Sequence, residues 1–178
     1  MFENIKEDIK VVYYDKNIKN YLKAFLEHSV HIVLLFRFGN YCDRKIPIFG
    51  KILRFIIEYL IRILYASDIS CKVKIGKGFR IMHGHDIVIG SNVVIGDYCK
   101  IFNGITLGNK NTEIPDSKQP ILEDNVVIST GAKILGEITI GSNSIVGANS
   151  VVINDIPKNS IAVGIPSKVI KKNENKIQ

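Results

Sequence analysis

Four histidines stand in the chain, and two of them are placed to do chemistry. His28 and His31 fall in a stretch that reads as helix, where packing or surface roles are the ordinary fate. His83 and His85 lie in Met82-His83-Gly84-His85-Asp86, with Gly84 beside His83 to allow a close approach. Histidine takes up a proton near neutral pH, so His83 is a candidate general base. Asp68, upstream, is placed to orient the ring through its other nitrogen. Two histidines at i and i+2 also suggest metal. A metal site needs at least a third ligand, and no His or Cys stands at a fitting interval, so no metal is expected. Cys42, Cys71 and Cys99 are odd in number, far apart and without a CxxC pair, which points to reduced thiols and a cytoplasmic protein.

The elements that must hold these residues show in a strict repeat. Leu122, Ile128, Ile134, Ile140, Val146 and Val152 recur every six residues, and four places after each of the first five come Val126, Ala132, Ile138, Ser144 and Ser150. Helices want spacings of three and four and strands alternate every two, so neither accounts for six. A six-residue period predicts a parallel β-helix whose coils stack an aliphatic ladder. The ladder also runs through Ile69, Ile75 and Ile81, then restarts two residues late at Ile89, Ile95, Ile101 and Leu107. The slip falls on the histidine segment. Gly76, Gly90, Gly96, Gly108, Gly141 and Gly147 each follow a ladder residue, where the corners are expected to need backbone freedom.

The 178 residues are 46% hydrophobic with a formal charge of +7. That balance suits an acidic small molecule such as a nucleotide-bearing co-substrate, or an anionic membrane surface. No basic–aromatic interleaving or zinc-finger spacing supports nucleic acid. Residues 1–66 are expected to form an N-terminal helical region, with one helix from Asn20 to Phe38 stopped by Gly39 and another from about Gly50 to Ala66. The second is apolar nearly all round apart from a stripe of Lys51, Arg54, Glu58 and Arg62, expected to pair along the helix. Its wide apolar surface is expected to pack on the coil or on partner subunits, with a peripheral contact at the inner face of a membrane as the alternative. The β-helix domain is expected over 67–170, with a polar loop at 109–120, and 171–178 form a basic tail.

Ser67-Asp68-Ile69, Ile75-Gly76-Lys77-Gly78, His83-Gly84 and Ile87-Val88-Ile89-Gly90 together resemble the hexapeptide-repeat acetyltransferases of the serine acetyltransferase type. So do Asn103-Gly104-Ile105-Thr106-Leu107-Gly108, Gly131-Ala132-Lys133-Ile134-Leu135-Gly136, Gly147-Ala148-Asn149-Ser150-Val151-Val152 and Val163-Gly164-Ile165-Pro166-Ser167-Lys168. The resemblance implies a mainly β fold: a left-handed parallel β-helix, homotrimeric, with sites between neighbouring subunits and acetyl-CoA as co-substrate. His83 falls on the family's catalytic histidine and Asp68 on its paired aspartate. Thr130, Ala148 and the segment from Gly164 to Lys168 fall where the family lays the pantetheine arm and nucleotide. Gly108 is a candidate N–H donor to the tetrahedral oxyanion. Lys133, Lys168, Lys171 and Lys172 are candidates for the cofactor phosphates.

Two departures set the acceptor expected here. Serine-specific members carry an aspartate before the catalytic histidine, where this chain has Met82. They carry an Arg-His pair that grips the amino-acid carboxylate, where it has Lys118-Gln119. Lysine is a weak substitute for a forked guanidinium. The chain therefore resembles the branch that acetylates sugars in surface polysaccharide synthesis, the colanic-acid type among them. His85, Asn103 and Gln119 would furnish a polar, uncharged site for a carbohydrate hydroxyl. Serine O-acetyltransferase is the alternative. A non-catalytic structural β-helix and a metal-dependent hydratase are the rivals from other classes.

Overall fold

The computed structural model describes residues 2–12, 26–111, 113 and 117–173. Among the described residues three helices, α1 (Phe2–Lys10), α2 (His28–Lys45) and α3 (Phe49–Tyr65), precede a parallel β-helix. Its first face stacks β1 (Asp68–Ile69), β4 (Val88–Ile89), β7 (Thr106–Gly108), β10 (Lys133–Leu135) and β13 (Val151–Val152). The second stacks β2 (Lys74–Ile75), β5 (Val94–Ile95), β8 (Ile121–Leu122) and β11 (Thr139–Ile140). The third stacks β3 (Arg80–Met82), β6 (Lys100–Phe102), β9 (Val127–Ile128), β12 (Ile145–Val146) and β14 (Ser160–Gly164), and β15 (Ser167–Lys172) closes it antiparallel.

The six-residue ladder is the inward line of these strands. Ile69, Ile89, Leu107, Ile134 and Val152 lie one above another in register, as do Ile81, Ile101, Ile128 and Val146. Nearly every rung is fully buried, and removing so many branched side chains from water is what stabilises strands only two or three residues long. The slip in the repeat is a longer corner. Ile69 pairs with Ile89, twenty residues on, whereas Ile89 pairs with Leu107, eighteen on. The two extra residues lie between β3 and β4, in the corner that carries both histidines.

The corner glycines act differently from the expectation. Left-handed corners are taken mainly by Asn125, Asn143, Asn149, Asn159, Gly104 and Gly131, all at positive φ. Asparagine tolerates that region because its short polar side chain bonds locally. Gly76, Gly96 and Gly141 are required by close approach instead: a Cβ on Gly141 would lie 2.4 Å from the Lys158 nitrogen, and one on Gly96 2.8 Å from the Glu123 carbonyl carbon.

A stack of coils has open ends whose backbone groups need partners. At the first coil the helices supply them. Asn40 donates to the carbonyls of Cys71 (2.7 Å) and Val73 (3.1 Å), and Arg37 to that of Ile75 (2.7 Å) and to Gly76. Asp8 accepts from the Phe79 N–H at 2.8 Å, and Glu58 from the Cys71 N–H at 2.8 Å. Gly39 is no stop: α2 runs through it, and a Cβ there would meet the Cys71 sulfur at 2.5 Å, so glycine lets helix and coil touch. Residues 20–25 of the helix expected from Asn20 lie outside the described residues. At the far end Ser144 and Ser150, buried on the ladder's second line, bond the Ser160 and Gly164 amides at 3.1 Å each. Lys171 and Lys172 belong to β15 rather than to a tail, and 174–178 lie outside the described residues.

Helix α3 turns the middle of its polar stripe, Arg54 and Glu58, inward, while Lys51 and Arg62 stay exposed. Arg54 bonds Asp43 (2.9 Å) and Glu58 (2.8 Å), while Arg62 reaches Asp68 (2.9 Å) instead of Glu58. Ile57 and Ile61 are buried beside that stripe. The opposite face is left open: Phe49, Ile52, Phe55, Ile56, Tyr59, Ile63 and Leu64 are each half exposed or more. Among the described residues no helix is long and apolar enough to cross a membrane.

Candidate active site

Strand β3 ends at Met82, and the chain turns through His83 at φ 57° and Asp86 at φ 54° before β4 begins. Histidine and aspartate reach the left-handed region more readily than most residues, though at a cost of about 1–3 kcal/mol. The turn puts His83 and His85 on the outside, both exposed, while Ile87 plugs the core beneath them. Gly84 tucks against α2, its N–H donating to Ser29 Oγ at 3.3 Å.

The same edge in the coils above carries most of the other candidates. Gly104 N–H donates to the His85 carbonyl (3.3 Å), Gly131 N–H to that of Asn103 (3.0 Å), and Asn149 N–H to that of Thr130 (2.9 Å). Thr130 Oγ1 also donates to Asn103. His83, His85, Asn103, Thr130 and Ala148 thus line one edge of the prism, between the third face and the first. Gly164 and Lys168 continue it in the closing hairpin, where Gly164 pairs with Ser167 and Val163 with Lys168. Lys133 donates to the Gly104 carbonyl at 2.6 Å, so its ammonium is tied to the coil rather than held out for a phosphate.

Asp68 lies one coil below this corner. Its N–H donates to the Ile87 carbonyl at 2.8 Å, and Ser67 Oγ accepts from the Ile87 N–H at 3.1 Å. The carboxylate faces Arg62 at 2.9 Å, and both partners are more than half exposed. Gln119 and Gly108 sit on a different edge, between the first face and the second. Gln119 Oε1 accepts from the Asn92 N–H at 3.1 Å, Lys118 is ion-paired with Glu137, and the Gly108 carbonyl accepts from Gly136 N–H at 2.9 Å. The loop holding Lys118 and Gln119 joins β7 to β8, and its residues 112 and 114–116 lie outside the described residues.

Beside His83 opens a cavity of about 680 Å³ between α1, α2 and the first rung of the third face. Its wall includes Arg80, Met82, His83, Glu27, His28 and Ser29. Arg80 and Met82 share the outward side of β3 while Ile81 points into the core. His28 and Arg80 were not among the sequence candidates. The available signal for Arg80 was the strand period of two, which sets it on the same side as Met82. The three cysteines are buried, and burial pushes the thiols of Cys71 and Cys99 up to about 12. Among the described residues no three His, Cys, Asp or Glu side chains group as a metal site.

The family model for bacterial transferase hexapeptide (six repeats) matches residues 119–154. The serine acetyltransferase of Bacillus licheniformis is 36% identical over 99% of this chain and 81% of its own length. The crystal structure of Neisseria gonorrhoeae serine acetyltransferase superposes with a TM-score of 0.85 at 28% identity, covering 98% of this chain, which spans 66% of that one. A serine acetyltransferase solved in complex with CoA gives 0.81 at 30% identity, covering 93% of this chain and 68% of that one. These likenesses overturn the expectation of a sugar acceptor in polysaccharide synthesis. That expectation rested on Met82, Lys118 and Gln119 together with the short apolar helical leader, and charge missing from three positions says nothing of charge supplied from elsewhere on the cavity wall. The extent of identity along the coil and the helices outweighs them: the chain is an acyltransferase and belongs to the serine acetyltransferase family.

Proposed function

We propose that this protein is a serine O-acetyltransferase that uses acetyl-CoA. The reading is carried by the placement of His83, on a left-handed corner beside a cavity, in a chain similar throughout to serine acetyltransferases. His83 takes the proton of the serine hydroxyl as its oxygen attacks the thioester carbonyl. The tetrahedral oxyanion collapses, the C–S bond breaks, and the proton passes from the imidazolium to the departing thiolate. Asp68 orients the ring, for which its carboxylate must leave Arg62. The pantetheine arm runs along the edge of Asn103, Thr130 and Ala148 toward Gly164 and Lys168.

A homotrimer fits this division of labour. The His83 edge and the Gly108–Gln119 edge are separate corners of one prism, and a neighbouring copy brings the second against the first. There Gly108 would serve as oxyanion donor, and Gln119 would reach the acceptor only on leaving the Asn92 amide. The open face of α3 is assigned to a second copy as well. Phe49, Ile52, Ile56, Tyr59 and Ile63 are spaced three, four, three and four apart, the interval at which helices pack on helices. Mass spectrometry of a reaction containing L-serine and acetyl-CoA tests the function. O-acetylserine is the product expected, and serine left unmodified by active, folded protein would sink the proposal.

A further inference from the structure

An amino-acid acceptor brings a carboxylate, and the two loop positions at which the resemblance places its grip are engaged elsewhere: Lys118 with Glu137 and Gln119 with the Asn92 amide. Of the other arginines, Arg37 is committed to Asp8, Arg54 to Asp43 and Glu58, and Arg62 to Asp68, while Arg44 is exposed and lines a separate cavity away from His83. Arg80 differs. It is half-buried on β3 and has no ion pair or side-chain hydrogen bond among the described residues. Directly above it in register stands Lys100, also half-buried and also without an anion among the described residues. Adjacent rungs are only about 4.8 Å apart. Burial, and then Arg80 itself, push the Lys100 ammonium below its ordinary range. Two neighbouring cations sheltered from water repel each other and lack the charge that would offset the cost. Together they form a seat suited to an anion.

The position of that seat is informative. Arg80 lines the same cavity as Met82 and His83, on the outer side that Met82 shares. We infer that Arg80, backed by Lys100, binds the carboxylate of the amino-acid acceptor while His83 receives its hydroxyl proton. The inference rests on the serine reading above. The guanidinium fork meets a carboxylate with two parallel N–H···O bonds, a geometry that Lys118 does not offer. With Arg80 in place, a methionine before the catalytic histidine and a loop without arginine no longer argue against an amino acid.

Steady-state kinetics with L-serine and with L-serinamide, which lacks the carboxylate charge, test the assignment. Arg80→Met is expected to raise the KM for L-serine about 10- to 100-fold while leaving the KM for acetyl-CoA and the melting temperature unchanged. Arg80→Lys should recover part of the loss, and Lys100→Met should show a smaller rise of the same kind. With L-serinamide, wild type and Arg80→Met should behave alike. An unchanged KM for L-serine in Arg80→Met overturns the carboxylate site and leaves the serine reading standing. A rise in the KM for acetyl-CoA instead assigns the cations to a cofactor phosphate and overturns it equally. A wild type that does not turn over L-serine at all overturns the serine reading, and this inference with it.

Discussion

His83 occupies a backbone conformation that glycine would fill at lower cost, so the fold and the chemistry pull in opposite directions at this residue. His83→Gly separates them. Turnover should fall on the order of 10²- to 10⁴-fold for want of a general base, while the melting temperature holds or rises. A fall in both would mean that the ring is there for packing. The cysteines make the opposite case. With thiols pushed up to about 12 by burial, Cys71 and Cys99 carry almost no thiolate at pH 8, so Ellman's reagent should leave them unmodified in the native protein and modify them once it is denatured. Sequence reasoning singled out His83 as the proposed base because an interruption stands out against a strict period. It grouped Gln119 with His85 and Asn103 on polarity alone, and the loop before Gln119 has no period from which an edge can be read. Arg80 was passed over for a similar reason, since a lone outward cation on a strand has no motif around it.

Among the elements, α3 gave up its periodicity but not its orientation. A helix with a narrow charged stripe on an apolar cylinder normally turns the stripe to water. Here the first coil presents the Cys71 N–H, which takes the stripe's Glu58, and Asp68, which takes Arg62 at the surface, so the middle of the stripe faces the coil and the apolar side is left exposed. If a neighbouring copy covers that side, Ile56→Asp with Ile63→Asp should yield a smaller species by light scattering, with the coil intact by circular dichroism. A variant that keeps its mass would return the face to the membrane alternative, which co-sedimentation with anionic liposomes reads directly. The glycines allow a sharper comparison. Gly141→Ala drives a Cβ against the Lys158 backbone at 2.4 Å and should cost about 1–3 kcal/mol, whereas Gly108→Ala meets nothing nearer than 4.0 Å and should leave stability unchanged. The position of these glycines in the repeat was plain from sequence. Their reason was not, because it lies in the distance to the next coil rather than in the local backbone.

For the whole molecule, the β-helix was legible because six residues per face put every inward side chain at one phase, and the ladder from Ile69 to Val152 maps onto the three faces with one long corner and one loop as its only interruptions. The acceptor was not legible in the same way. Recognition of a small molecule is assembled from residues far apart in the chain, and Met82, Lys118 and Gln119 were read as losses without sight of a cavity that also holds Arg80 and Glu27. In the proposed homotrimer the two edges that carry the candidate residues would meet only between copies, which no property of a single chain displays. The most direct test is thiol release from acetyl-CoA with and without L-serine, in the wild type and in His83→Ala. Serine-dependent release that His83→Ala lowers on the order of 10²- to 10⁴-fold is the predicted result. A folded wild type that releases no thiol in response to L-serine, or a His83→Ala protein that does so at the wild-type rate, would contradict the account.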